Sequence, residues 1–243
     1  MAHMHQQPLR VDYRLRLPQS IHYAIAAGST ALAFGLLSRA SLPANQTIAN
    51  SIIGVGAVVL APALTVLGFV HILQTARNRL LDTIVDVVNW RGDERVLDVG
   101  TGSGIVLFAC AKQLRTGTAT GIDIYEPNAG GGTAERFWRN ARVEGVAERV
   151  ELLNVDARKM TFADETFDMA VSSLAMHHVG AAQDRQRATA EIIRILKPGG
   201  SIAICDMTAV IGDCEQVLRQ HGMINIRRRA YWHLFSLLTA EKP

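Results

Sequence analysis

The sequence predicts an α/β fold: a doubly wound, mostly parallel seven-stranded sheet, preceded by an N-terminal two-helix transmembrane hairpin. Three observations predict it. An apolar stretch runs straight into a glycine-rich turn at residues 96–104, VLDVGTGSG. Downstream, short β-rich runs alternate with helical stretches, the order from which parallel sheets are built. Upstream, residues 21–38 and 48–75 contain no Asp, Glu, Lys or Arg.

The N-terminal runs come first. A spanning helix needs roughly 17–25 mainly apolar residues. Residues 21–38 sit at the short end and are diluted by Ala, Gly and Ser, whereas the inner run 52–73 is long enough despite Pro62, which membrane helices tolerate. The link 39–47 is short and holds Pro43 and Asn45, so the two helices form a hairpin. Arg10, Arg14 and Arg16 precede it, Arg77 and Arg79 follow it, and Arg39 alone lies in the link. Positive charge retained inside then places both ends, and the catalytic domain, on the cytoplasmic side of a two-pass protein. A lid dipping into lipid and a lid buried on a soluble domain remain open, since Ala24, Gly28, Ala31 and Gly35 suit close helix packing in either medium. A secretory signal fits poorly, because the apolar run begins only after residue 20.

Residues 74–90 read as an amphipathic helix with Leu80, Leu81, Ile84, Val87 and Val88 on one face. The chain divides into an anchor, 1–75, and one α/β domain, 76–243. In that domain the first strand, 96–99, enters the glycine turn and a helix over 105–113. A strand over 118–124 carries Asp123, a helix covers 133–144, and a third strand covers 150–154, followed by Asp156-Ala157. The fourth strand is 167–173, left through Ala175-Met176-His177-His178-Val179. A Lys197-Pro198-Gly199-Gly200 turn delivers the fifth strand, 201–206. A helix beginning near Asp213 and two strands, 224–232 and 237–240, close the chain.

The turn carries the chemistry. Gly100 and Gly102 have no Cβ to hold a ligand off the backbone. Their G-x-G-x-G spacing differs from the G-x-G-x-x-G of dinucleotide sites. Asp98, two residues before Gly100, would repel a pyrophosphate and suits a cationic ligand. Asp123 follows Asp98 by 25 positions, close to the ~20-residue interval at which an acid grips a ribose diol in such folds. Other roles stay open: Asp98 as a satisfied strand-end acid, Asp123 as a helix N-cap, Asp156 as a turn residue.

Together these motifs resemble class I S-adenosylmethionine-dependent methyltransferases, in particular the ubiquinone/menaquinone C-methyltransferase-like branch. The resemblance runs from Val96 to Asp206 and implies a Rossmann-like fold with S-adenosyl-L-methionine as cofactor. It implies cofactor contacts at Asp98, Gly100, Thr101, Gly102 and Gly104 in and before the turn, at Asp123 and Ile124 at the end of the second strand, at Asp156 and Ala157 beside the adenine, and at Ser172. Asp168, where the family also has an acid, reads as structural.

The methyl acceptor is harder to read. A general base is needed only if the acceptor must lose a proton. His177 and His178 follow the fourth strand, where the family places its acceptor, and are the catalytic candidates beside a structural reading of the same pair; Tyr125 and Asp206 are secondary. Between the fifth strand and the next helix there is no room for a cap over the acceptor. Cover must come from the N-terminal segment, the glycine loop 127–133 or the bilayer, which favours a lipophilic small-molecule acceptor. The alternative is a catalytically silent cofactor-binding membrane subunit of a partner complex.

Composition agrees with a membrane partner: 49% hydrophobic and 19% charged residues, where about a quarter charged is usual. A net charge of +3 gives no case for nucleic acid, and the run Arg227-Arg228-Arg229 reads as a solvated or headgroup-facing patch. Cys110, Cys205 and Cys214 have no metal-ligand spacing and suit a reducing compartment. The acceptor atom and the oligomeric state are not legible.

Overall fold

The computed structural model describes residues 84–86, 88–125, 132–231 and 234–243. The two uncharged runs, most of the amphipathic stretch 74–90, and all but the end of the glycine loop 127–133 lie outside the described residues. Among the described residues no helix is long and apolar enough to cross a membrane.

The domain holds seven strands, β1 (Arg95–Val99), β2 (Thr118–Ile122), β3 (Val150–Leu153), β4 (Phe167–Ser173), β5 (Leu196–Met207), β6 (Ile224–Tyr231) and β7 (Phe235–Glu241). Its helices are α1 (Ile105–Ala111), α2 (Ala134–Val143), α3 (Ala182–Ile195) and α4 (Thr208–Gln220). The sheet order is β3-β2-β1-β4-β5-β7-β6. β1 to β5 pair in parallel, while β7 runs antiparallel to both β5 and β6, so the sheet is mixed and, as expected, mostly parallel.

Central strands are apolar on both faces because each face is covered. Leu97, Val99, Ile202 and Ile204 point into one core with Ile192, Ile193 and Leu218, from α3 and α4. The alternate residues Val96, Ala203 and Cys205 pack on the other face with Leu107, Phe108 and Phe137, from α1 and α2. Period-two alternation thus feeds two cores from each strand. The chain turns back on its strand order between β1 and β4, and at such a reversal the loops leaving adjacent strands diverge and open a crevice at the carboxyl ends.

Three boundaries differ from the sequence reading. β2 stops at Ile122, so Asp123 and Ile124 lie just beyond it. The Lys-Pro-Gly-Gly segment belongs to β5: pairing steps from Phe167↔Leu196 to Met169↔Ser201, and the extra residues bulge out. That bulge is held because the Gly199 amide donates to Lys242 O and the Lys242 amide to Gly200 O. The last helix starts at Thr208, directly after β5, and not near Asp213. Asp213 instead pairs with Arg185 of α3 at 2.7 Å, tying the two helices together.

Candidate active site

Three strand ends carry acids, Asp98 in β1, Asp123 after β2 and Asp206 in β5, all at the carboxyl edge of the sheet. Between the first two, the glycine turn takes left-handed backbone at Gly100 (φ 72), Gly102 (φ 51) and Gly104 (φ 88). Its amides are largely committed within the fold: Gly100 and Thr101 donate to Ile122 O at 2.9 and 3.1 Å. Gly102 donates to Asp123 Oδ2 at 2.9 Å. The missing Cβ atoms serve packing. A Cβ on Gly100 would meet Ala175 Cβ at 2.2 Å, and one on Gly104 would enter the Phe108 ring. Close ligand approach, the sequence argument for Gly100, is therefore not what its geometry requires.

Asp98 is 2% exposed and accepts from Thr101 Oγ1 at 2.8 Å. Burial, helped by the nearby Asp123 carboxylate and opposed by the Thr101 hydroxyl, pushes its carboxyl up to about 7. Asp123 is half-buried; its Oδ1 accepts from the Tyr125 amide at 2.7 Å, and the Tyr125 hydroxyl donates to Gly102 O at 3.0 Å. Tyr125 holds φ 48, an uncommon conformation for a bulky residue. Ile124, beside it, is 43% exposed and offers an apolar surface next to Asp123.

Two expected contacts sit differently. Ser172 is fully buried beneath the turn, and its hydroxyl donates to Val99 O at 2.9 Å, so it supports the backbone instead of facing a ligand. Asp156 is bound by Arg158, with Nη2 to Oδ2 at 2.6 Å, so its carboxylate is already partnered where the resemblance implies an amine contact. Ala157, next to it, packs partly buried against the core. Asp168 is structural as expected, accepting from the Arg95 amide and from Lys197 Nζ.

Across the crevice, β4 is followed by Leu174 at φ 54, and residues 176–178 form a 3-10 turn that presents the histidines. His177 Nδ1 lies 2.7 Å from Asp206 Oδ1, and the His177 amide donates to Asp206 Oδ2 at 3.3 Å. Asp206 is fully buried, while the His177 ring stays partly exposed, 3.9 Å from the His178 ring between centroids. Asp206 thus orients the histidine. The signal in the sequence was the recurrence of an acid at a strand end; their separation of 29 positions hid the pairing.

The residues fit S-adenosylmethionine. Carboxylates, and no lysine or arginine, flank the turn, which suits an ammonium, a sulfonium and a diol and would repel a pyrophosphate.

Residues 97–204 match the family model described as a methyltransferase domain. The chain is 30% identical over 145 residues to a ubiquinone/menaquinone biosynthesis C-methyltransferase of Ruegeria sp. (strain TM1040), covering 60% of this chain and 55% of that one. It is also 30% identical over 140 residues to the 27-O-demethylrifamycin SV methyltransferase of Amycolatopsis mediterranei (strain S699), covering 57% and 47%. Over residues 97–204 the chain is therefore similar to methyltransferase domains. The chain spans about half the length of these curated relatives. The fold is also that of a solved Aquifex aeolicus SAM-dependent methyltransferase (20% identity, TM-score 0.55, covering 67% and 89%) and of the [4+2]-cyclase SpnF (21%, TM-score 0.58, covering 70% and 83%).

Proposed function

We propose that the protein methylates a small lipophilic acceptor that must lose a proton, with His177 as the general base. The observation that carries this reading is the 2.7 Å contact between His177 Nδ1 and the buried Asp206 carboxylate. An ionised carboxylate only accepts, so it keeps the ring proton on Nδ1 and leaves the Nε2 lone pair for the acceptor. As the acceptor forms its bond to the methyl carbon, its proton passes to Nε2, and Asp206 stabilises the imidazolium. S-adenosylmethionine, when bound, supplies the methyl on a sulfonium whose leaving group is a neutral thioether. The glycine turn, Asp98 and Asp123 orient the reactants, and alignment in a dry site does the rest.

The named relatives support a proton-bearing acceptor: one is a C-methyltransferase of quinone biosynthesis, the other acts on an O-demethylated substrate. The uncharged runs 21–38 and 48–75, with arginines outside them, support a membrane hairpin that keeps the domain on the cytoplasmic side. We test the reading by incubating membranes containing the protein with methyl-labelled cofactor and identifying the labelled lipid-soluble product. Because one protein of this fold is a cyclase, cofactor binding alone decides nothing. Bound cofactor with no labelled product from any extract would favour the silent-subunit alternative.

A further inference from the structure

We propose that the corner of the sheet formed by Met207, Leu234 and the end of β6 is a docking element for an anionic phospholipid surface, seated beside the mouth of the active site. The proposal rests on the reading that the acceptor is lipophilic.

This corner is apolar, exposed and fixed. Leu234 is 68% exposed and Met207 38%, although most large apolar side chains of the domain are buried. Both lie at one corner of the sheet, because Met207 pairs with Phe235 and Tyr231 closes the hairpin against the same Phe235. The Thr208 amide donates to Leu234 O at 2.8 Å, and the Thr208 and Ser236 hydroxyls meet at 3.0 Å. Exposed apolar side chains on a fastened corner point to a partner surface, not to a loose end.

Charge names the partner. Arg227 and Arg229 alternate with Tyr231 along β6 and so share its face. The Arg229 guanidinium lies 5.5 Å from the Tyr231 ring centroid, and neither Arg227 nor Arg229 makes an ion pair among the described residues. Arg228, on the opposite face, is held by Thr208 O and Glu215. At ~3.3 Å per residue, Arg229 sits about 7 Å and Arg227 about 13 Å below Tyr231. Each headgroup layer is roughly 5–8 Å deep, so with Leu234 and Met207 at the acyl boundary the Arg229 guanidinium would sit at phosphate level and Arg227 just outside the layer, in the surface potential of the anionic lipid. Asp86 and Glu241 line the same groove of about 450 Å³. Asp86 offsets part of the charge. Glu241 pairs with Ile224 at the far end of β6, about 10 Å from Arg227 at that rise, so it offsets part of the Arg227 charge and leaves Arg229 the better exposed cation. One ladder pair from this corner, Asp206↔Ser236 leads to the carboxylate that holds His177. Docking here would bring the acceptor site to the bilayer surface.

The test uses the full chain with Leu234→Cys, labelled with a polarity-sensitive thiol dye. The native thiols are buried, and burial pushes Cys214 up to about 11 and Cys205 to about 12, so labelling goes to position 234. The labelled protein is reconstituted in phosphatidylcholine vesicles with and without phosphatidylglycerol. The expected result is a blue shift only with phosphatidylglycerol, weakened by salt and abolished by Arg227→Glu with Arg229→Glu. An unshifted dye, an equal shift in pure phosphatidylcholine, or a shift retained in the double variant would overturn the proposal. A shift without added lipid that grows with protein concentration would mean a second copy occupies the corner, and would overturn it too. Turnover of a water-soluble hydroquinone reports the site separately: turnover with a silent dye sinks docking alone, whereas a lipid-dependent dye shift with no turnover on any acceptor sinks only the function.

Discussion

Asp98 is a carboxyl held where its charge is costly. Between its ordinary value of 3.8 and about 7 the folded state keeps a proton that the unfolded chain releases, so this group's contribution to stability is full below 3.8 and is lost as pH rises towards 7. Asp98→Asn should therefore be more stable than the parent at pH 8, by about 2–4 kcal/mol for a shift of this size, and equal to it near pH 4. Thermal melts at the two pH values check this. Cofactor binding should show the opposite benefit. A bound cation favours the ionised form, so affinity should rise with pH through about 7 in the parent and stay weak and flat in the variant, by calorimetry. At the other acid, Asp206 makes His177, and not His178, the expected base. His177→Ala should lower kcat ~10²–10⁴-fold with cofactor affinity nearly unchanged, while His178→Ala stays within about tenfold. Asp206→Asn should lower kcat with cofactor affinity nearly unchanged, because the ring is no longer held in one tautomer. Equal small losses in both histidine variants with an unaltered pH profile would return the pair to a structural role.

The turn between β1 and α1 and the exit of β4 are locked to each other at the scale of elements. Gly100 packs on Ala175, the residue that leads into the histidine turn. Gly100→Ala therefore meets both the left-handed backbone, about 1–2 kcal/mol, and a clash with Ala175 Cβ only 2.2 Å away. Gly145, at φ 69, has nothing within 4 Å of a built Cβ, so Gly145→Ala meets the backbone cost alone. We expect the first variant to lose several kcal/mol and cofactor binding, and the second to lose about 1 kcal/mol and keep it, by denaturant unfolding and calorimetry. The β1 and β4 strands and the glycine turn were legible because apolar runs bounded by Gly and acids are a local signal. The start of α4 was not. The proximity of Asp213 to a helix suggested a start there, whereas the contact of the Thr208 amide with Leu234 O, 26 positions on, fixes it.

For the whole molecule, the question is how the domain and the uncharged N-terminal runs divide the work. The described domain has two filled cores, so a chain lacking residues 1–75 should be recovered in the supernatant and bind S-adenosylmethionine. The full chain should sediment with membranes unless detergent is present, because residues 48–75 are long enough to span a bilayer. Deleting only residues 1–50 should leave one unpartnered apolar run and an insoluble protein. High-speed centrifugation of the three chains checks this, and a full chain that stays in the supernatant would remove the hairpin.

The sequence by itself determined the α/β class, the order of the elements and the acids at the ends of β1 and β2. Each of these is written in contiguous residues, as a run of apolar side chains, a glycine spacing or a charge beside a turn. Tertiary structure alone decided what those residues do. It buried Ser172 under the turn, set Arg158 on Asp156, filled the space beside Gly100 with Ala175 and placed Asp206 against His177. The physical reason is that a side chain's role depends on the groups that desolvate and pair it, and in a parallel sheet those groups come from strands far apart in the chain.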